Sequence, residues 1–483
     1  GALAAAVAME PASVHTWRRL PGHESDGSDS EDSEDAVSAE KLEERVQEMT
    51  AMLGARWVEK PQIQFTPAPM PAKASVSSLP PPPPPRRWGP TGPGGPLFHI
   101  EHADAPLIRE TFLSNGLFPT QDSKEWLVHW SGPSAHEHIY QALHEFQRVN
   151  HFPGSTELTR KDRLWLHFRE NAERFGHEAF DFVPETFVLP DQVEEFLKCY
   201  ERTNHIWIVK PHASSRGRGI FVLRDLSELP LEELSVVSRY VQRPLLIQGL
   251  KFDLRVYVLV TSFDPLMAYV YREGLTRFAS KPYSTKAEHM QDEYRHLTNY
   301  SINKNASNFL ENKEVEADNV GHKWSLSALN RHLRCVGVDV GLMWARIMDL
   351  VVKTLLSVEP AISARMKHLP GSRTSCFELY GFDVLVDQDL KPWLLEVNLS
   401  PSMQADSPLD WQIKSSLLSD AFNLIGVSNI DHKTAALAKI RARVQQEQAN
   451  AASSMARMRS QLLQGRRSVS VGGRAQGASP ASR

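Results

Sequence analysis

The stretch 379–402, LYGFDVLVDQDLKPWLLEVNLSPS, decides the fold class. Two runs rich in β-branched and aromatic residues, 379–386 and 392–398, flank a turn with Asp387, Asp389 and then Pro392. That pattern predicts a β-hairpin. In its second strand Glu396 and Asn398 lie two apart and therefore share a face. Asp383 stands on the partner strand, within reach if the register allows. Three oxygen-bearing side chains on an otherwise apolar hairpin are costly unless something cationic satisfies them. A hard ion such as Mg²⁺ takes carboxylate and carbonyl oxygens and leaves positions for phosphates. A Lys or Arg paired with Glu396 would also serve.

Working outward, 206–220 reads IWIVKPHASSRGRGI. A strand delivers Lys210, and a loop with Arg216, Gly217, Arg218 and Gly219 follows. Small residues let backbone N–H groups approach a phosphate while the cations neutralise it. The lysine precedes the glycines, so this is not a Walker A loop, and a plain basic turn reads the same way. In 244–257, PLLIQGLKFDLRVY, the residues Lys251, Asp253 and Arg255 alternate onto one face. Such a row is an ion-pair ladder or a polar wall over a nucleotide. The polar loop 296–304, HLTNYSINK, brings Thr298 and Asn299; His296 reads as a structural histidine. Together these pieces describe a nucleotide held between two sheets with Mg²⁺ at its phosphates. No dinucleotide fingerprint, Ser/His/Asp elbow or kinase signature competes.

The chain has 483 residues, 54 Lys+Arg against 58 Asp+Glu, and a net charge of -4. Its 41% hydrophobic content and clustered 32 prolines imply an unfolded portion beside a large core. The three cysteines, Cys199, Cys335 and Cys376, have no paired spacing. This excludes a disulfide scaffold and a cysteine zinc site, and it fits a reducing compartment. No apolar run reaches the ~18–20 residues of a membrane helix, and the N-terminus is a poor signal peptide. Residues 24–35 carry seven acids and no base, which predicts a solvated tail. A short helix is expected at 38–53. Pro61 to Pro96, with six prolines at 80–85, reads as a stiff linker or a docking site for a proline-reading domain.

From about residue 97 to 426, strands and helices alternate, which predicts an α/β (α+β) arrangement with mixed sheets and two or three lobes. Strands are expected at 126–130, 206–210, 244–248, 254–261, 266–271, 379–386 and 392–398. Helices are expected at 136–148, 160–175, 191–202, 325–335, 341–357 and 409–424. Lys433–Arg483 carries ten Lys/Arg and one acid, a cationic extension partly helical or disordered and drawn to an acidic partner. The domains are therefore set at 1–96, disordered, acidic and then Pro-rich; 97–426, folded; and 427–483, the basic extension.

KDRLW, IVKPHASSRGRGI, RPLLIQGLKFDLRVYVLVTS, YREGLTRF, HLTNYSINK, GHKWSL, GFDVLVD and LLEVNLSPS, in this order, resemble the tubulin–tyrosine ligase-like family. SPLDWQIKSSLLSDAFNLIG resembles its polyglutamylase branch. The resemblance implies an ATP-grasp fold and an ATP-dependent ligase that joins free glutamate to glutamate side chains in tubulin tails. It implies ATP contacts from Lys210, Arg216, Gly217, Ser238, Arg239, Tyr240, Val241, Lys251, Phe252, Asp253, Thr298 and Asn299. Asp383, Glu396 and Asn398 would hold two Mg²⁺ ions. Arg277, Ser301, Lys323 and Lys414 would bind the incoming L-glutamate, with Arg216 also facing the acceptor. Arg255, with Glu396 and Lys210, would carry the catalysis. The family usually has glutamine where this chain has Ser238, and the run after Trp165 also departs from its pattern. The resemblance implies a monomer acting on microtubules in the cytoplasm, with the cilium or basal body as an alternative place. Membranes and nucleic acid are not expected partners. A ligase for another acidic protein, a glycylase, and a non-catalytic microtubule-binding scaffold are the competing readings.

Overall fold

The protein is described by a computed structural model at residues 17–19, 62–71, 96–103, 106–121, 126–133, 135–212, 217–310, 312, 318–367, 369, 374–429 and 444. Residues 97–429, with the described parts before residue 72, belong to one compact unit; the second unit, 89–96 with 430–483, has almost no described residues. The acidic run 24–35, the helix expected at 38–53, the six prolines and nearly all of 433–483 lie outside the described residues.

Among the described residues, three sheets build the compact unit. The central one has the order β1 (Trp17–Arg19), β12 (Leu266–Phe278), β11 (Leu250–Phe263), β14 (Glu378–Val386), β15 (Pro392–Asn398). The short β10 (Leu246–Ile247) pairs with β11, and β13 (Lys323–Ser325) pairs with β12. All of these pairs are antiparallel. A parallel sheet runs β3 (Phe118–Pro119), β2 (Leu97–Glu101), β4 (Val128–Ser131), β5 (Arg148–Val149). The third, antiparallel, runs β6 (Thr186–Leu189), β9 (Ser235–Arg239), β7 (Trp207–Pro211), β8 (Phe221–Leu223).

Period-two alternation in β11 sorts its side chains onto two cores. Phe252, Leu254, Val256, Val258 and Val260 enter one core, shared with the helices Leu326–Cys335 and Val340–Met366. Tyr257 and Leu259 enter another, covered by the helices Pro106–Ser114 and Pro408–Ile425. Full burial of each such side chain is worth roughly 1.5–3 kcal/mol, so burial on both faces fixes the register of the strand. The third sheet closes a core of its own, with Phe196, Trp207 and Val237.

The fold is the mixed α/β, ATP-grasp-like arrangement expected, with differences in detail. The helix expected at 136–148 stops at Gln141. Gln147 accepts a bond from His144 N and donates to Trp126 O, which turns the chain into β5. The helix expected to end at 357 runs to Met366 through the exposed Pro360, which has no N–H for the helical ladder. The expectation of a disordered 1–96 needs correcting at two places. Trp17–Arg19 adds a strand to β12. In 62–71, Ile63, Phe65 and Ala68 are buried, and Phe65 N donates to Asn423 Oδ1 at 2.7 Å. No described helix is long and apolar enough to cross a membrane.

Candidate active site

The hairpin of β14 and β15 carries a β-bulge. Val384 pairs with Leu394, whereas Asp383 pairs with Glu396, so Leu395 is the extra residue. Without it Glu396 would stand opposite Phe382 and point into the apolar core. The bulge moves Glu396 and Asn398 to the face that holds Asp383. Asn398 Nδ2 donates to Asp383 Oδ2 at 3.3 Å and to Gly381 O at 3.1 Å.

On the same face, Arg255 stands opposite Asp383 and Asp253 opposite Arg277. Arg255 donates from Nε at 2.7 Å and from Nη2 at 3.1 Å to the two Asp383 oxygens. Arg277 bonds Asp253 through Nε at 2.8 Å and reaches Asp383 Oδ2 at 2.9 Å. Burial alone would raise the Asp383 carboxyl, but the two guanidinium groups hold it well below the usual carboxylate range. Glu396 is less enclosed, with 24% of its side chain exposed, and pairs with Lys161 Nζ at 2.9 Å. The ion-pair ladder is present, and Asp253, Asp383 and Glu396 from it line a cleft.

The opposite wall comes from the third sheet. Lys210, Val236, Ile208 and Ser238 share its open face by register. Ser238 accepts a bond from Thr186 Oγ1 at 3.0 Å. Burial, countered by Glu396 and Asp383, lowers the Lys210 pKa to about 8. A chain of hydrogen bonds closes the inner end. Lys251 Nζ donates to Tyr240 Oη at 3.0 Å and to His296 O at 2.9 Å. Tyr240 Oη lies 2.8 Å from His296 Nδ1, and His296 Nε2 lies 3.0 Å from His289 O. The carbonyl can only accept, so the Nε2–H tautomer donates to it and Nδ1 accepts from the phenol. Burial lowers the Lys251 pKa to about 7.

These walls face each other across a partly open cleft. Lys210, Gly217, Ser238, Arg239, Tyr240, Val241, Lys251, Asp253, Thr298, Asn299, Asp383 and Glu396 all line it. Gly217 has φ +78°, and a Cβ there would sit 2.6 Å from Ile302 Cδ1 and 3.0 Å from Asn299 Oδ1, so only glycine fits. Phe252 is turned away into the core, its ring 5.6 Å from Phe278. Arg216 lies outside the described residues.

Lys323 stands opposite Arg277 in register. Its ammonium lies 4.0 Å from the Tyr300 ring, next in chain to Ser301, and 2.6 Å from Asp410 Oδ2. Lys414 Nζ lies 3.3 Å from Asp410 Oδ1. Asp410 thus gathers two of the lysines the sequence singled out. Burial would raise its carboxyl, and Lys414 and Lys323 bring it below the usual range. Sequence reasoning missed Asp410 and Lys161. Both sat inside quoted motifs. The i,i+4 spacing of Asp410 and Lys414 was readable, but nothing local announced Lys323 for Asp410 or Glu396 for Lys161.

Lys161, Lys210, Arg239, Lys251, Arg255 and Arg277 stand at this cleft beside Asp253, Asp383 and Glu396, so positive charge is in excess when Lys210 and Lys251 are protonated. A polyanion suits such a cleft. The carboxylate and amide oxygens of Asp383, Glu396 and Asn398 are the donor set of a hard divalent ion, so these residues fit Mg²⁺.

The sequence profile of the tubulin-tyrosine ligase family matches residues 140–435. The chain belongs to this family. It is 45% identical over 330 residues to tubulin polyglutamylase TTLL5 of Homo sapiens, covering 68% of this chain and 26% of that protein. It is 42% identical over 321 residues to human tubulin monoglutamylase TTLL4, covering 66% and 27%. With tubulin polyglutamylase ttll-5 of Caenorhabditis elegans it shares 43% over 353 residues, covering 70% and 48%. The chain therefore spans a quarter to a half of the length of these relatives, and family membership rests on the part that carries the cleft.

Proposed function

We propose that this chain is an ATP-dependent ligase that adds free L-glutamate to the side-chain carboxylate of glutamates in acidic tubulin tails. The observation that carries the reading is the cationic cleft between two sheets, closed by the bulged carboxylate–amide hairpin, in a chain of the tubulin-tyrosine ligase family. The names of its relatives, polyglutamylase and monoglutamylase of tubulin, support the substrate.

A carboxylate does not condense with an amine in water at useful rates. Transfer of the ATP γ-phosphoryl to the acceptor carboxylate makes one oxygen a leaving group, and the α-amine of glutamate then displaces phosphate to form an isopeptide. Lys210 spreads the charge that develops on the phosphoryl oxygens, an electrostatic task. Lys251 and the Gly217 loop hold the rest of the nucleotide, with Arg239 to Val241 along its edge and Thr298 and Asn299 at the phosphates. Asp383, Glu396 and Asn398 would hold two Mg²⁺ ions, which neutralise triphosphate charge when bound. Arg255, fixed by Asp383, stabilises the tetrahedral oxyanion. Arg277, Ser301, Lys323 and Lys414 receive the carboxylates of the added glutamate, for which arginine is suited by its fork of donors. The basic 433–483 extension guides the enzyme to microtubules, placing it on the cytoskeleton as a monomer.

Glu396→Gln tests the reading. It removes one charge and keeps the shape, so the fold should persist while glutamate incorporation into microtubules with ATP is lost. Retained incorporation would refute the role of the hairpin. Mass spectrometry of tubulin tails identifies the added residue; glycine in place of glutamate would refute the choice of amino acid.

A further inference from the structure

The parallel sheet, remote in sequence from the hairpin, carries a second cluster of chemistry. In β2, His99 and Glu101 lie two apart and share a face. In β4, His129 pairs in register with His99. The ring centroids of His99 and His129 are 5.1 Å apart, and His129 Nε2 lies 3.5 Å from Glu101 Oε2. One ligand atom from each of the three residues lies within 4.8 Å of the others.

His129 makes the arrangement unusual. It is 2% exposed, and neither ring nitrogen has a hydrogen-bond partner. A buried imidazole with both nitrogens unsatisfied costs free energy that a hydrogen bond would normally remove. His99 is oriented in the complementary way: its Nδ1 lies 2.9 Å from Thr120 O. That carbonyl can only accept, so Nδ1 carries the proton and Nε2 keeps its lone pair. Metal-bound histidines are held by this kind of outer bond. Glu101 is partly exposed, and Gly132 N, which donates to Glu101 O at 2.9 Å, pins the ends of the two strands together.

We propose that His99, Glu101 and His129 form a binding site for a divalent first-row transition metal, zinc by ligand type. Two imidazoles and one carboxylate with an open position make up a familiar zinc set, and imidazole selects against Mg²⁺. A Glu101 oxygen also lies within 4.8 Å of ring nitrogens of the exposed His102 and His136. The ion would clamp β2 to β4 and satisfy His129.

The test uses the untagged full chain, stripped with a chelator and held in saturating Mg²⁺ so that the hairpin carboxylates do not report. Co²⁺ is titrated while its visible d–d absorption is followed, and Zn²⁺ is then added in competition. One equivalent should bind with an intense, nitrogen-ligated spectrum, and Zn²⁺ should displace it and raise the melting temperature. His99→Gln and Glu101→Gln should each weaken binding at least about tenfold, with circular dichroism and the Mg²⁺–ATP thermal shift unchanged. Both positions are partly exposed, so these variants avoid the risk of unfolding that His129→Gln carries. Absence of stoichiometric binding overturns the proposal. So does binding that survives both variants, or that is lost only on His136→Ala, which marks surface histidines alone.

Discussion

Replacing Lys251 by Met probes the cleft where its electrostatics are most perturbed. Lys251 is 6% exposed, and burial lowers its pKa from the ordinary 10.5 to about 7, with Asp253 opposing and Lys210 reinforcing the fall. A triphosphate beside it favours the charged form and returns the pKa toward the ordinary value. Between the two values, binding takes up a proton. Affinity is therefore flat below pH 7 and falls as pH rises above it, with a limiting slope of about tenfold, or 1.4 kcal/mol, per pH unit from this lysine. At pH 8 Lys251 alone accounts for about nine-tenths of a proton taken up. Lys210, at about 8, adds a second dependence that begins one unit higher. Phosphates are fully ionised from pH 8 to 9, so the ligand itself does not titrate there. Calorimetry of ATP binding at pH 8 and 9, in buffers of different ionisation enthalpy, reads both affinity and proton uptake. The Met variant should bind more weakly at pH 7, keep only the Lys210 slope, and converge on the unsubstituted protein at high pH. Equal slopes in the two proteins, or no proton uptake at pH 8, would refute the reasoning.

Glu378→Gln disrupts a fully buried pair in which Glu378 Oε1 meets His151 Nδ1 at 2.6 Å, and should cost about 3 kcal/mol in denaturant unfolding. Burial opposes the charge on His151, yet Glu378 and the Gly132 carbonyl raise its pKa above the ordinary 6.5. The difference between the two proteins should therefore be full below pH 6.5 and shrink as pH climbs through the raised value; a constant difference would contradict the pairing. Gly217→Ala forces a side chain into a left-handed residue and onto Asn299, so ATP affinity should fall about tenfold, by roughly 1–2 kcal/mol, in a thermal-shift titration. Asp410→Asn leaves Lys323 and Lys414 without their shared carboxylate. It should lower stability by about 3 kcal/mol and change the KM for glutamate more than that for ATP in steady-state assays.

Much of this was legible in the chain itself. Alternation placed Lys251, Asp253 and Arg255 on one face because strand geometry is local. The core strands β11, β12, β14 and β15 were readable because they are long and apolar. The short β4 and β7 were read as well, at 126–130 and 206–210, whereas β2, β6 and β9, of similar length, were not. Ile63, Phe65 and Ala68 lay hidden in a proline-rich context whose composition argued for a linker, although their partners are on or just after the helix Pro408–Ile425. The His99–Glu101–His129 cluster was invisible for the same reason: its members meet only through a parallel pairing.

The sequence by itself determined the residue types of the cleft, the order of its motifs and the family they belong to, because these are properties of neighbours along one strand or loop. Tertiary structure decided which charges meet. The Leu395 bulge, which no composition announces, rotates Glu396 onto the face of Asp383. Asp410 meets Lys323, and Lys161 meets Glu396, only when elements 87 and 235 residues apart in sequence come together. A charge gains its partner, its burial and its shifted pKa from distances that sequence separation does not encode.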